Sequence, residues 1–317
     1  MPVSTGALLR HRATPAIAVV VAVTAWAIGP IFVSSLSISL PTIVLYRQLM
    51  WLPMLFTLSH LAGDGFTRHH LAVAWKPGVF FSVSAALSFG SFQQTTIANA
   101  TLIGSLTPAV LLFLAPRILG ERVTAQRVVY SLVSFVGVIA VVAGADSGGA
   151  SGTHSLAGDA MALGNMLMWT VYFIAAKRAR DEGMNTWSFL VGVCLTNVVL
   201  AVPWALLTSD DLGAVTARDW TFLVLMMLIP GTVGHYLMTW AQRYLDTTVS
   251  SLITLGGPVI STLLAFVFLG QGVATVQILG GVVVLLGLAG VILSTSSVRT
   301  TGTDTVGTAD PLLNSNP

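Results

Sequence analysis

The chain has 317 residues, of which 55% are hydrophobic and only 8% charged, with a formal net charge of +2. A soluble domain carries roughly 25% charged residues, so this composition excludes a water-soluble globule, a disordered chain and a nucleic-acid binder. A single cysteine, Cys194, leaves no internal disulfide and no cysteine-based metal cluster.

A helix needs about 20 mostly apolar residues to cross the hydrocarbon core. Ten such runs follow one another: 14–36, 42–61, 77–96, 98–118, 126–145, 157–176, 187–207, 220–242, 247–269 and 276–294. The runs do not alternate with period two, which a membrane barrel requires. The expected fold is therefore an all-α membrane protein of ten transmembrane helices. Residues 1–13 form a short N-terminal arm and 146–156 a linker between the fifth and sixth runs. The polar tail 296–317 is too poor in apolar residues to fold and is expected to be disordered.

The first run follows Arg10 and Arg12 and contains Ala25-Trp26-Ala27, the shape of a signal-peptidase site, but it continues apolar to Leu36 and is longer than a signal peptide's core. Trp26 suits a pore-facing helix, and Pro30 interrupts the run four residues later. The second run holds Arg47, the one clear basic residue inside a span. Charge at that depth is costly and usually functional. Arg47 either reaches the outer interface or attracts a carboxylate or phosphate on a substrate. The third run ends with Gln93 and Gln94; one faces a cavity or pairs across helices. The fourth contains Thr101 and Pro108, and the ninth contains Pro258. Proline breaks the backbone ladder, so both helices are either cavity walls with a flexible point or statically kinked. In the sixth run Asn165, Trp169 and Tyr172 fall on one helical face, which is either a ligand face or a packing stripe. His235 in the eighth run is a candidate substrate or proton carrier, or a hydrogen-bonded packing residue. Glycines 280, 281, 287 and 290 in the tenth run suit close helix packing and would also serve a homodimer. Tryptophans near helix ends, Trp51 among them, read as interfacial anchors.

Lys and Arg collect on the cytoplasmic side of membrane proteins. With the N-terminus inside, 12 of the 14 basic residues lie inside, Arg218 lies outside and Arg47 lies within a span. Both termini are then cytoplasmic in a multi-pass cell-membrane protein. Glu121, Asp159 and Asp246 fall at helix ends, so no span carries a central carboxylate for a proton relay. There is no phosphate-binding loop for an ATP motor, and no metal or cofactor is expected.

Shifting the sequence by 150 residues superimposes Pro108 on Pro258, Leu119-Gly120 on Leu269-Gly270 and Gly137 on Gly287; 11 of the 44 positions from 102 to 145 are identical without a gap. The chain therefore reads as two copies of a five-helix unit, 14–145 and 157–295. Five is odd, so the second copy would enter the membrane inverted, the architecture of secondary transporters.

The motif Ser91…Pro108…Leu119-Gly120-Glu121-Arg122-Val123-Thr124…Gly137 recurs as Ala241…Pro258…Leu269-Gly270-Gln271…Gly287. With Trp26, Gly29, Arg47 and Gly158-Asp159 it resembles the EamA-like family of the drug/metabolite transporter superfamily, over about residues 14–295. Gln271 departs from the pattern, which has Glu there. The resemblance implies ten helices in two inverted repeats around a central cavity, commonly in exporters of amino acids or other small metabolites. The expected function is a secondary, non-ATP exporter of small metabolites such as amino acids or amphipathic compounds, working as a monomer or homodimer in the lipid bilayer. The alternatives are a facilitator or exchanger of a phosphorylated or other anionic metabolite bound by Arg47, and a membrane-embedded enzyme acting on lipid, for which the spans lack paired carboxylates.

Overall fold

A computed structural model describes residues 5–95, 97–146, 155–269 and 272–298. The regular structure among these residues is all helix, with no strand. The helices are α1 (Thr5–Ala27), α2 (Gly29–Ser34), α3 (Leu40–Ala62), α4 (Arg68–Gln94), α5 (Ile97–Gly104), α6 (Thr107–Leu119), α7 (Ala125–Asp146), α8 (Leu156–Asp181), α9 (Thr186–Thr208), α10 (Ala217–Met226), α11 (His235–Ala241), α12 (Thr247–Ile253), α13 (Gly257–Leu269) and α14 (Thr275–Val298). A π-helical segment, Met227–Gly234, joins α10 to α11, and a 3₁₀ turn, Thr254–Gly256, joins α12 to α13.

Among the described residues nine stretches are long and apolar enough to span a membrane. The second expected span is α3, a 23-residue helix whose Arg47, Gln48 and His60 lower its hydropathy below that mark. Much of the outer surface is aliphatic: Leu61, Leu132, Val199, Leu207, Leu279 and Leu286 are all exposed. The interior, by contrast, holds many hydroxyls and amides, including Thr42, Gln48, Ser84, Ser134, Asn197 and Thr247 to Ser251. Water would penalise so large an apolar exterior; hydrocarbon does not, and there buried polar groups hold helices together.

Three expected spans are broken where proline removes a backbone donor. α1 stops at Ala27, and α2 restarts with Pro30 in its first turn. α5 gives way to α6 at Ser105–Leu106, and Pro108 opens α6. α13 likewise carries Pro258 as its second residue. Proline is tolerated there because the first turn has no intrahelical partner for its N–H. The loosened turns are tied by side chains: Ser105 Oγ donates to the Thr101 carbonyl and Thr254 Oγ to the Ser251 carbonyl. α14, the last expected span, runs to Val298. The linker 147–154 and the tail from 299 lie outside the described residues.

α7 and α14 pack backbone against backbone. A methyl on Gly137 would lie 2.7 Å from the Gly280 carbonyl oxygen and from the Val284 nitrogen; one on Gly287 would lie 2.8 Å from the Tyr130 carbonyl oxygen and 2.9 Å from the Ser134 nitrogen. The contact is reciprocal under the 150-residue shift, which carries 130, 134 and 137 to 280, 284 and 287. The two helices run antiparallel, since Tyr130 meets Gly290 while Gly144 meets Gln277. Gly287→Val should therefore force the pair apart and destabilise the protein by about 1–3 kcal/mol, the usual cost of overpacking. Thermal unfolding in detergent measures this, with Gly213→Val as control, because nothing lies within 4 Å of a methyl on Gly213.

Candidate functional site

The π-helical segment Met227–Gly234 contains Pro230-Gly231, and the absent proline N–H favours a widened turn. π-helical turns of this kind frequently mark functional sites. Two tryptophans are pinned to it. Trp26 Nε1 on α1 donates to the Pro230 carbonyl at 3.2 Å, and Trp51 Nε1 on α3 donates to Thr232 Oγ1 at 3.0 Å. Thr232 Oγ1 in turn donates to the Met227 carbonyl at 2.9 Å. Gly234 lets Trp26 approach, since a methyl there would sit 2.4 Å from the indole nitrogen.

This arrangement delivers His235, the first residue of α11, into a ring of aromatics. Its centroid lies 5.2 Å from Trp26, 5.1 Å from Phe81, 5.8 Å from Trp51 and 6.1 Å from Trp169. Trp26 and Trp169 meet edge-to-face at 5.5 Å, a geometry favoured by the ring quadrupoles. These rings form the deep end of a cavity of about 670 Å³, within the usual range for small-molecule sites. Arg47, Ser84, Asn165 and Thr107 supply its polar wall, and Leu36, Ile38 and Phe89 line the way to its mouth. Arg47 is only 7% exposed. Ser84 Oγ donates to Asn165 Oδ1 at 2.7 Å, which leaves the Asn165 amide N–H₂ directed to other partners.

The two ends of the bundle differ. At the mouth, Asp219 accepts from the Ser37 backbone N–H at 2.9 Å and from Thr216 Oγ1 at 2.6 Å, and Asp211 accepts from Ser39 and Thr42. Burial raises the Asp211 pKa, but these hydrogen bonds outweigh it and hold the group below the usual carboxylate range, so the clamp is intact at neutral pH. At the opposite end the helices are laced shut. Lys177 Nζ donates to the Gln242 carbonyl at 2.8 Å and Gln242 Nε2 to the Phe173 carbonyl at 3.3 Å. Arg127 pairs with Asp246 at 2.9 Å. Glu121 accepts from the Thr247 backbone N–H and from Thr248 N and Oγ1, capping α12. Helix N-termini favour such a carboxylate.

Of the candidate residues, Trp26, Arg47, Asn165, Trp169 and His235 line the one cavity. Tyr172 sits just beyond it, 5.2 Å from both Trp169 and Phe81. Thr101 is not among the described lining residues, where Gly104 and Thr107 represent the fourth span. Gln94 is exposed at the end of α4, and the side chains of Gln93 and Pro30 lie outside the described residues. Pro108 and Pro258 sit at the helix breaks. Trp51 corrects an expectation: it is no interfacial anchor but 1% exposed, held against His235 and Thr232. Its place one turn from Arg47 on the same helix was the available signal. Phe81 and Ser84 carried none, because their partners lie about eighty residues away or more.

The sequence profile of the EamA-like transporter family matches residues 13–143 and 156–293. The chain belongs to the EamA-like transporter family. It is thus a membrane transporter and not an enzyme, and its relatives are transporters of the drug/metabolite superfamily. It is 24% identical over 209 residues to the uncharacterized transporter YyaM of Bacillus subtilis, covering 64% of this chain and 67% of that one. It is 26% identical over 212 residues to the protein PecM of Dickeya dadantii, covering 67% and 68%. To a protein of Ancylobacter novellus named aromatic amino acid exporter YddG it is 23% identical over 180 residues, covering 56% and 61%. A solved crystal structure shares the fold with a TM-score of 0.75 at 19% identity, over 89% of this EamA-like chain and 99% of that one.

Proposed function

We propose that this transporter is a secondary exporter of small amphipathic metabolites that works by alternating access. The observation that carries the reading is a cavity that ends in an aromatic site, opens at one end and is laced shut at the other. The antiparallel, reciprocal contact of α7 with α14 supports two inverted repeats, 14–145 and 157–295, because copies entering the same way would have run parallel. On this reading α3 is a tenth crossing, and Arg47 is tolerated because it faces the cavity. The relative named an aromatic amino acid exporter fits a ring-lined site. The laced end gathers Arg117, Arg122, Arg127, Lys177, Arg178 and Arg243, which supports a cytoplasmic position for it and for both termini.

Counterflow into proteoliposomes with a panel of labelled amino acids and small organic acids tests the transport reading. Solute should move faster than in protein-free vesicles, and a whole panel that does not move would overturn it. Orientation has its own test. Gly213→Cys, in the loop between α9 and α10, should react with an impermeant maleimide on intact cells; labelling only after lysis would invert the topology.

A further inference from the structure

Resting on the transport reading of the same cavity, we propose that the cargo is recognised as a monoanion: an organic carboxylate with a flat apolar body, selected against zwitterions and cations. Charge and hydrogen-bonding sense in the cavity both favour an anion. Arg47 lines the cavity while nine-tenths buried, and among the described residues it makes no hydrogen bond or ion pair. A guanidinium offers five N–H donors in a planar fork that matches a carboxylate. None of the described lining residues is Asp or Glu, so nothing there neutralises it.

The neutral groups lean the same way. Two acceptors that could receive an ammonium are already engaged. Asn165 Oδ1 takes the Ser84 hydroxyl, and the Pro230 carbonyl takes the Trp26 N–H. The Asn165 amide N–H₂, which also lines the cavity, suits a carboxylate oxygen. An ammonium in this cavity would lose its water, meet no carboxylate and share the space with an unpaired guanidinium. Burial makes both effects larger than they would be at a surface. The rings of Trp26, Phe81 and Trp169 then take the apolar body of the cargo by stacking.

Tryptophan fluorescence of the full-length protein in detergent, titrated with four compounds that share one phenylpropyl skeleton, separates the charge classes. Phenylpropionate is the anion, phenylalanine the zwitterion, phenylpropanamide the neutral analogue and phenylpropylamine the cation. Phenylpropionate should bind about tenfold or more tighter than each of the other three, as expected for a desolvated carboxylate–guanidinium contact. Arg47→Gln should erase that advantage and leave the amide's affinity within about threefold, because uncharged packing is untouched. A wild-type ranking with phenylalanine or the amine first overturns the proposal, even where the variant fails to fold. So does an anion preference that survives Arg47→Gln. Counterflow of the same four compounds separates the two readings. The expected binding order with none of the four moving would contradict transport and leave the charge selectivity standing. Preferred movement of phenylalanine would leave transport standing and defeat the selectivity.

Discussion

Trp26→Ala is expected to lower the initial rate of transport by at least about tenfold, the scale set by losing a properly oriented site, with the protein still inserted in the membrane. The indole performs three tasks at once. It walls the cavity against Trp169, it packs on His235, and its N–H satisfies the Pro230 carbonyl in the π-helical segment. Removing a fully buried aromatic costs about 3–5 kcal/mol in globular cores; Trp26 is partly buried and lines the cavity, so its loss costs less, and the orphaned hydrogen bond adds about 1 kcal/mol. Trp26→Phe separates these contributions, because it keeps a ring and deletes the donor. It should fall between wild type and Trp26→Ala in counterflow. Equal rates for all three proteins, at matched amounts in the vesicle, would remove Trp26 from the site.

The second large effect concerns the laced end. Arg127 is 4% exposed and its partner Asp246 is 37% exposed. The two truncations are therefore unequal. Arg127→Ala leaves a half-solvated carboxylate, which water can accommodate. Asp246→Ala leaves a buried guanidinium without its counter-charge, a situation that costs about 3–5 kcal/mol in a fully buried pair and, discounted for the exposure of Asp246, about 1–3 kcal/mol here. That cost falls on the state in which this end is closed, because opening it lets Arg127 reach water. Asp246→Ala should thus shift the population towards the opposite state by about tenfold, since 1.4 kcal/mol is one decade in an equilibrium constant. The rate at which Ala176→Cys, buried at that end, reacts with a thiol reagent reads the shift. It should rise about as much as the population does, and more for Asp246→Ala than for Arg127→Ala. Cys194, the only native thiol, would be replaced first.

Hydropathy made the spans legible, because hydrocarbon leaves a helix few alternatives to some 20 apolar residues. Prolines 108 and 258 announced the broken helices, and Arg47 and His235 stood out by the cost of their placement. The π-helical segment was not foreseen, although Pro230-Gly231 inside an apolar run was its signal. Trp51 was misread because an aromatic residue near a helix end has two destinations, the interface and the bundle interior. Hydropathy does not separate them, and only the hydrogen bond to Thr232 does. Glu121 was legible as a helix-end residue able to cap, but its partner was not: it caps α12, more than 120 residues away in the chain. Phe81 and Ser84 needed the packing of α4 against α8 before they could be placed.

The central claim is that the two halves exchange access between the two ends. Spin-label distances at both ends of the protein, in nanodiscs, test it most directly. One pair joins Gln94 to Arg218 at the mouth, and the other joins Arg117 to Arg243 at the laced end; all four positions are exposed. Going from wild type to Asp246→Ala, the Gln94–Arg218 distance should shorten while the Arg117–Arg243 distance lengthens. Both distances changing in the same direction, or the laced end opening with the mouth unmoved, would contradict it.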